Sequence, residues 1–351
     1  MRVHFLGDIA LNGRYNEMYR DGINPFETLE NDLEKADYVV GNLESFAKGD
    51  AGENQFKTPR LTTTVDTLHY LKYIKLDVAC LANNHVYDHL ESGFKNTVGF
   101  LDKNGIRYLG AGETIKKASE PLILEKDNIK IGILNYVDAD TNPKIPDSAQ
   151  ISANYFNVEK VIEDIKRLKK NVNHVVLQLH WGGRVEGGTY PDFDQPKMAK
   201  HLIEHGADLI VGHHSHTFQP YEVYKGKYIF YSLGNFCFSD YWFEGSFRPL
   251  YNRNTLSAIL NIAFTKSKYT PALYFYRNKI FFFESLVGYS TSFRNWWFRS
   301  FLKVKPIWHI YYLHLKYVLP LKHFLYRDDI KMREKFSRIY SSLSKKCKND
   351  D

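Results

Sequence analysis

The sequence predicts an α/β fold, and three observations carry that prediction. Short runs rich in β-branched and aromatic residues alternate with helix-length segments through the first two-thirds of the chain. From about residue 220 the pattern changes to hairpins. With 351 residues, 44% of them hydrophobic and 25% charged, the chain is long enough to bury a large core.

The expected strands begin with RVHFLG at 2–7. They continue with DYVVGN at 37–42, LDVACLAN at 76–83, IRYLGAG at 106–112, HVVLQLH at 174–180 and ADLIVGH at 207–213. Helices are expected over 28–36, 64–74, 91–104, 158–170 and 195–205, the last closed by Gly206 in the C-cap position. Beyond them, YEVYKGKYIFYS turns at Lys225-Gly226, ALYFYRNKIFFF turns near Arg277-Asn278, and LSAILNIAF reads as a further strand. This implies a second, more antiparallel sheet packed on the first. After about residue 290 the texture becomes a dense aromatic and basic mixture, with Pro306 and Pro320 limiting helix length. The expected organisation is therefore a main domain over 1–285 and a helical appendage over 286–351 with a frayed end.

Charge and cysteine content narrow the function classes. The net charge of +7 is uneven: residues 281–351 carry +8 and the rest of the chain −1. Trp296, Trp297, Phe298, Trp308, Tyr311, Tyr312 and Tyr317 lie there among Arg294, Arg299, Lys303, Lys305, Lys316 and Lys322. Such a mixture suits an anionic membrane surface, a protein partner, or a core against the second sheet. No nucleic-acid-binding motif accompanies it, so nucleic acid is not an expected partner. Cys80, Cys237 and Cys347 form no C-x-x-C pair, which argues against a disulfide framework or thiolate zinc knuckle and fits a reducing compartment. The start MRVHFLGDIAL is too short an apolar run for a signal peptide, and no window of ~18 apolar residues predicts a spanning helix. A cytoplasmic location, peripheral to the membrane at most, is the expectation.

Metal-compatible side chains recur where apolar runs end. Asp8 follows VHFLG, Asn42 and Glu44 follow YVVG, Asn83, Asn84 and His85 follow VACLA, His180 follows VVLQL, and His213, His214 and His216 follow LIVG. In open α/β sheets, ligands gather beyond the carboxyl ends of the strands, so these placements converge on one rim. A mix of imidazole, carboxylate and amide oxygen suits Zn, Mn or Fe better than calcium or a structural zinc. Such a site is naturally hydrolytic, holding one or two divalent ions.

The motifs GD at 7–8, GNLES at 41–45, LANNHVYD at 81–88, HWG at 180–182, GHHSHTFQP at 212–220 and YSLGNF at 231–236 resemble the CapA-type proteins of capsule and poly-γ-glutamate biosynthesis. That family resembles the calcineurin-like metallophosphoesterases, which implies a double β-sandwich flanked by helices (αββα), here with a C-terminal helical appendage. By this resemblance Asp8, Glu44, Asn84, His180, His214 and His216 are metal ligands, with His213 in place of His214 if the register differs by one. His85 matches the proton donor or transition-state stabiliser. Asp88 either holds the His85 ring or caps the helix starting near His89. Lys57 and Arg184 are candidates to hold a substrate phosphate or carboxylate, and Asn235 to close the site.

Three departures from the resemblance stand out. The usual Asp-x-His opening is Asp8-Ile9-Ala10, Asn42 stands where an acidic residue is common, and HWG continues into the longer GRVEGGTYPDFD. Two readings follow. One is a metal-dependent hydrolase acting on an amide or phosphoester bond of an anionic surface polymer or its precursor. The other is a non-catalytic scaffold of the polymer-synthesis machinery. Residues 290–351 would dock either on a membrane surface or on a synthase complex.

Overall fold

The computed structural model describes residues 1–319 except 244, 245 and 249, and gives only the backbone for the others between 241 and 248. Expectations that fall on 320–351, the frayed tail among them, lie outside the described residues.

The first strand, β1 (Arg2–Ile9), pairs in parallel with β2 (Tyr38–Leu43), which continues in parallel to β3 (Val78–Cys80) and β4 (Arg107–Leu109). Six strands then form a second sheet: β5 (Leu122–Lys126), β6 (Ile129–Val137), β7 (His174–His180), β8 (Leu209–His213), β9 (Tyr221–Tyr224) and β10 (Lys227–Phe230), in the order β9-β10-β8-β7-β6-β5. The chain then returns to the first sheet. The strand β11 (Asn235–Cys237) lies parallel against the end of β1, while β12 (Leu256–Phe264) runs antiparallel to β1 and is followed outward by β13 (Tyr269–Asn278) and β14 (Phe283–Ser285).

The pleat explains the layering. Alternation along β1 sends Val3 and Phe5 to one face, where they meet Val40 and Val78 of their own sheet and Ile131, Ile133, Val176 and Val211 of the other. This is the interior of the sandwich. Leu6 and Ile9 face the opposite way, toward Phe94, Phe100 and Leu101 of α1 (Leu90–Lys103). The helix α2 (Val158–Lys169) buries Val161, Ile165 and Leu168 and packs on β7, and α3 (Gln195–Glu204) packs beside it. The Asn157 side chain caps α2 by accepting from Lys160 N at 3.0 Å.

Several sequence expectations are corrected by this arrangement. The hairpin strands after residue 220 do not make a sheet of their own: β9 and β10 join the second sheet, and β12 to β14 extend the first. The second hairpin turns at 279–282, where Lys279 N bonds Phe282 O at 3.0 Å, rather than at Arg277-Asn278. The Lys225-Gly226 turn stands as expected, with φ of 48° and 73°. The helices expected at 28–36 and 64–74 are only one-turn pieces, Glu30–Leu33 and Tyr70–Tyr73, each preceded by a 3₁₀ turn. Helices so short hold only through tertiary packing, here by the buried Leu29, Leu33, Leu68 and Leu71.

By packing, the chain divides into two compact units, the first ending at Trp296. Asn295 accepts from Tyr221 N at 3.2 Å and Arg294 donates to Phe218 O at 2.8 Å, so both belong with the sandwich. In the second unit, Pro306 sits in the first turn of a helix over Lys305–Leu313, where its missing N–H costs nothing. Ile310, Leu313 and Tyr317 are exposed. Among the described residues no helix is long and apolar enough to cross a membrane.

One buried ion network gives a stability prediction. Asp208 is 4% exposed, accepts from Val175 N at 2.9 Å, and pairs with Lys227 at 2.7 Å and with Lys169. Burial alone would raise its pKa, but the bonds from Lys169 and Lys227 outweigh it and hold the carboxyl below the usual range. A folded pKa below the unfolded one means stability that is present above about pH 4 and is lost as pH falls through the folded value. Asp208→Asn is expected to cost ~1–3 kcal/mol in urea unfolding at neutral pH. That difference should shrink on acidification below about pH 4; a pH-independent difference would contradict it.

Candidate metal centre

Each side chain of the candidate site is set by a strand end. Asp8 is the last but one residue of β1, Asn42 lies in β2 with Glu44 just beyond it, Asn84 and His85 follow β3, and His180 and His213 are the last residues of β7 and β8. Two backbone features aim them. The pairing of β1 with β2 skips a residue between Leu6 and Asp8, and a Cβ on the intervening Gly7 would lie 2.0 Å from the Gly234 carbonyl oxygen. After β8, Gly212 passes so close to the Tyr231 carbonyl that a Cβ would lie 1.9 Å from it, and the chain then turns sharply. His214 and His216 adopt φ of 92° and 56°, a left-handed conformation uncommon for non-glycine residues and costing ~1–3 kcal/mol each.

The side chains converge in a buried cluster. Asp8 Oδ1 accepts from Asn42 Nδ2 at 2.9 Å and lies 3.2 Å from His213 Nδ1, and its Oδ2 lies 3.4 Å from His216 Nδ1. His180 Nε2 stands 2.9 Å from Asn84 Oδ1, 3.1 Å from His214 Nδ1 and 3.9 Å from Glu44 Oε1. His216 Nε2 is 3.6 Å from Glu44 Oε1, and its Nδ1 is 3.0 Å from Asn235 Oδ1. An amide oxygen only accepts, so His216 Nδ1 carries a proton there and Nε2 is the nitrogen turned toward Glu44.

Electrostatically the cluster is incomplete. Burial alone would lower the His216 pKa, yet Glu44, then Asp8 and Glu186, push it up to about 10. Burial pushes the Glu44 carboxyl well above its ordinary value and brings His214 down to about 4. Both Glu44 oxygens and His214 Nε2 are buried without a hydrogen-bond partner. Unpartnered buried polar atoms are costly, and a bound cation is one way to satisfy such a set.

The geometry of the donors fits such an ion. Glu44, His214 and His216 each offer a ligand atom, all within 4.8 Å of one another. Ligands ~2.0–2.1 Å from a tetrahedral centre stand about 3.3 Å apart, which the separations of 2.9 to 3.9 Å around His180 bracket. With Asp8, Asn84 and His180 alongside, the nitrogen and oxygen set suits Zn, Mn or Fe.

The domain with this site matches, over residues 2–240, the family model described as bacterial capsule synthesis protein PGA_cap. This chain belongs to the PGA_cap family. It is 33% identical over 247 residues to the PGA biosynthesis protein CapA of Bacillus subtilis, covering 69% of this chain and 64% of that protein. With the capsule biosynthesis protein CapA of Bacillus anthracis the identity is 31% over 251 residues, covering 69% of this chain and 61% of the relative. The match thus spans less than two thirds of either relative. A Staphylococcus aureus structure described as a candidate 5′-nucleotidase, bound to α-ketoglutarate, superposes with a TM-score of 0.50 at 12% identity, over 83% of this chain and 55% of that one. The fold is the calcineurin-like double sandwich flanked by helices.

Against this PGA_cap background the remaining site residues fall into place. His85 Nδ1 bonds Asp88 Oδ2 at 2.6 Å, and Asp88 also accepts from Leu61 N at 2.8 Å. The helix after His89 has no side-chain cap, so Asp88 holds the imidazole rather than the helix end. His213 is saturated by Asp8 and by Gln178 Oε1 at 2.8 Å, which places it behind Asp8 and leaves the cluster to His214. Lys57 and Asn235 line a cavity of about 620 Å³ together with His85, His214 and His216. Arg184 is absent from that lining and pairs instead with Asp192 and Asp194 at 2.5 and 2.8 Å. Glu186, not singled out from the sequence, lines the cavity with its carboxylate 3.9 Å from His216 Nε2. The signal was the acidic residue in the lengthened segment after HWG. Ala10, where a further ligand is usual, packs with Leu61 and Phe238 in a small apolar cluster and adds no donor.

Proposed function

We propose that this chain is a metal-dependent hydrolase of capsule or poly-γ-glutamate-type polymer assembly, acting on an amide or phosphoester bond. The observation that carries the reading is the trio of Glu44, His214 and the half-buried His216, with both Glu44 oxygens and His214 Nε2 unpartnered. Those three residues would hold a divalent Mn, Zn or Fe ion, joined by Asp8, Asn84 and His180. When bound, such an ion supplies Lewis acidity and lowers the pKa of coordinated water toward ~7.

The protein's own groups then orient and move a proton. Asp88 fixes the His85 ring through Nδ1, so Nε2 is the nitrogen left for the cavity. In its protonated form that nitrogen gives its proton to the departing oxygen or nitrogen, converting a poor leaving group into a neutral one. Asn235 fixes His216 in the tautomer that presents Nε2 to Glu44.

The apolar setting of Ala10 favours a second reading, a scaffold that keeps the fold without turnover. Partners of either form are an anionic surface polymer or its precursor and, through residues 290–351, a membrane surface or a synthase component. Metal-loaded protein assayed on bis(p-nitrophenyl) phosphate and γ-glutamyl p-nitroanilide decides between the readings. Turnover of one of them, lost on chelation and restored by Mn or Zn, is expected. Full metal content with neither substrate consumed would leave the scaffold.

A further inference from the structure

Lys57 is buried in the wall of the same cavity, 3% exposed, yet its ammonium makes no hydrogen bond or ion pair with any described residue. The segment that carries it is firmly held. Asn54 N bonds Asp88 O at 2.9 Å, Arg60 Nη1 donates to the Lys57 carbonyl at 2.7 Å, and Leu61 N bonds the Asp88 carboxylate at 2.8 Å. A lysine serving structure in this protein is paired, as Lys169 and Lys227 are with Asp208. Withdrawing an ammonium from water without a partner is costly, and burial depresses its pKa while Asp88, Glu186 and Glu44 act in the opposite sense from a distance. A rigidly mounted, unpaired cation facing a cavity is half of an ion pair whose other half arrives with a ligand.

We propose that Lys57 is the anion anchor of this cavity, so that the substrate carries an oxyanion, a carboxylate or a phosphate, beside the bond that is broken. The inference rests on the hydrolase reading and deepens it by assigning the residue that holds the substrate's oxyanion. Lys57 acts on the substrate itself and leaves the metal-holding residues untouched. Removing its charge therefore weakens oxyanion binding while metal content stays the same.

The test is calorimetric titration of the full, metal-loaded chain with inorganic phosphate and, separately, with glutarate. Lys57→Met keeps the length and burial of the side chain without the charge, and should raise Kd for one or both probes at least about tenfold. Lys57→Arg should retain most of the affinity. An effect confined to phosphate identifies phosphoryl substrates, and one confined to glutarate identifies carboxylates. Equal Kd values in wild type and Lys57→Met for both probes would overturn the proposal, as would failure of the wild type to bind either. Should Lys57→Met fold poorly or lose metal, Lys57→Gln is read in its place. Metal is measured on the same samples: trace metal in the wild type counts against the hydrolase reading, whereas unchanged Kd at full metal counts against the anchor alone.

Discussion

Replacing His214 and His216 together by alanine is expected to reduce bound transition metal from about one equivalent to trace levels. These are two of the three residues whose donor atoms lie within 4.8 Å of one another, and the third, Glu44, is a buried carboxylate with no hydrogen-bond donor of its own. Without these two imidazoles Glu44 loses two of its nearest nitrogen neighbours, and burial favours its protonated form over recruitment of an ion. Because a bound ion stabilises only the folded state, added Zn or Mn should raise the melting temperature of the wild type and leave the double variant unmoved. Acid should mimic the substitution, since imidazole and carboxylate must lose their protons to bind. Retention of a full equivalent by the double variant would place the ion elsewhere.

The second large effect concerns turnover without metal loss. His85→Ala is expected to hold its metal and lose roughly 10²- to 10⁴-fold in turnover, the usual contribution of a positioned acid or base. Its ring lines the cavity and is anchored by Asp88 at 2.6 Å, while its Nε2 lies 3.9 Å from Glu44 Oε1. Asp88→Asn should keep the ring in place with weaker support and lose a smaller part, about 10- to 100-fold. If His85→Ala lost metal in step with activity, His85 would be a ligand or a structural residue.

The strand ends that supply the candidate site were legible because each combines a local apolar run with a polar residue at its carboxyl end, and both features belong to adjacent positions. What stayed hidden depends on distance. The strand Ile129–Val137, an interior strand of the second sheet, was not singled out because it is buried on both faces, with only Lys130 part-exposed, and so shows no alternation. Assignment of Leu256–Phe264 and Tyr269–Asn278 to the first sheet rests on pairing with Arg2–Leu6, which no local pattern announces. The same limit explains Arg184 and Glu186. The two lie in one short loop, and which of them faces the cavity is decided by Asp192 and Asp194, which draw the guanidinium away.

Glu44 is the residue on which the whole account turns, because it is buried at 0% exposure with neither oxygen hydrogen-bonded, an arrangement a bound cation would satisfy. Elemental analysis of the wild-type protein, purified anaerobically and without chelator, tests this most directly. At least about one equivalent of Mn, Zn or Fe per chain is the expected result. Trace metal alone in correctly folded protein would contradict the metal-centre reading and, with it, the proposed hydrolase.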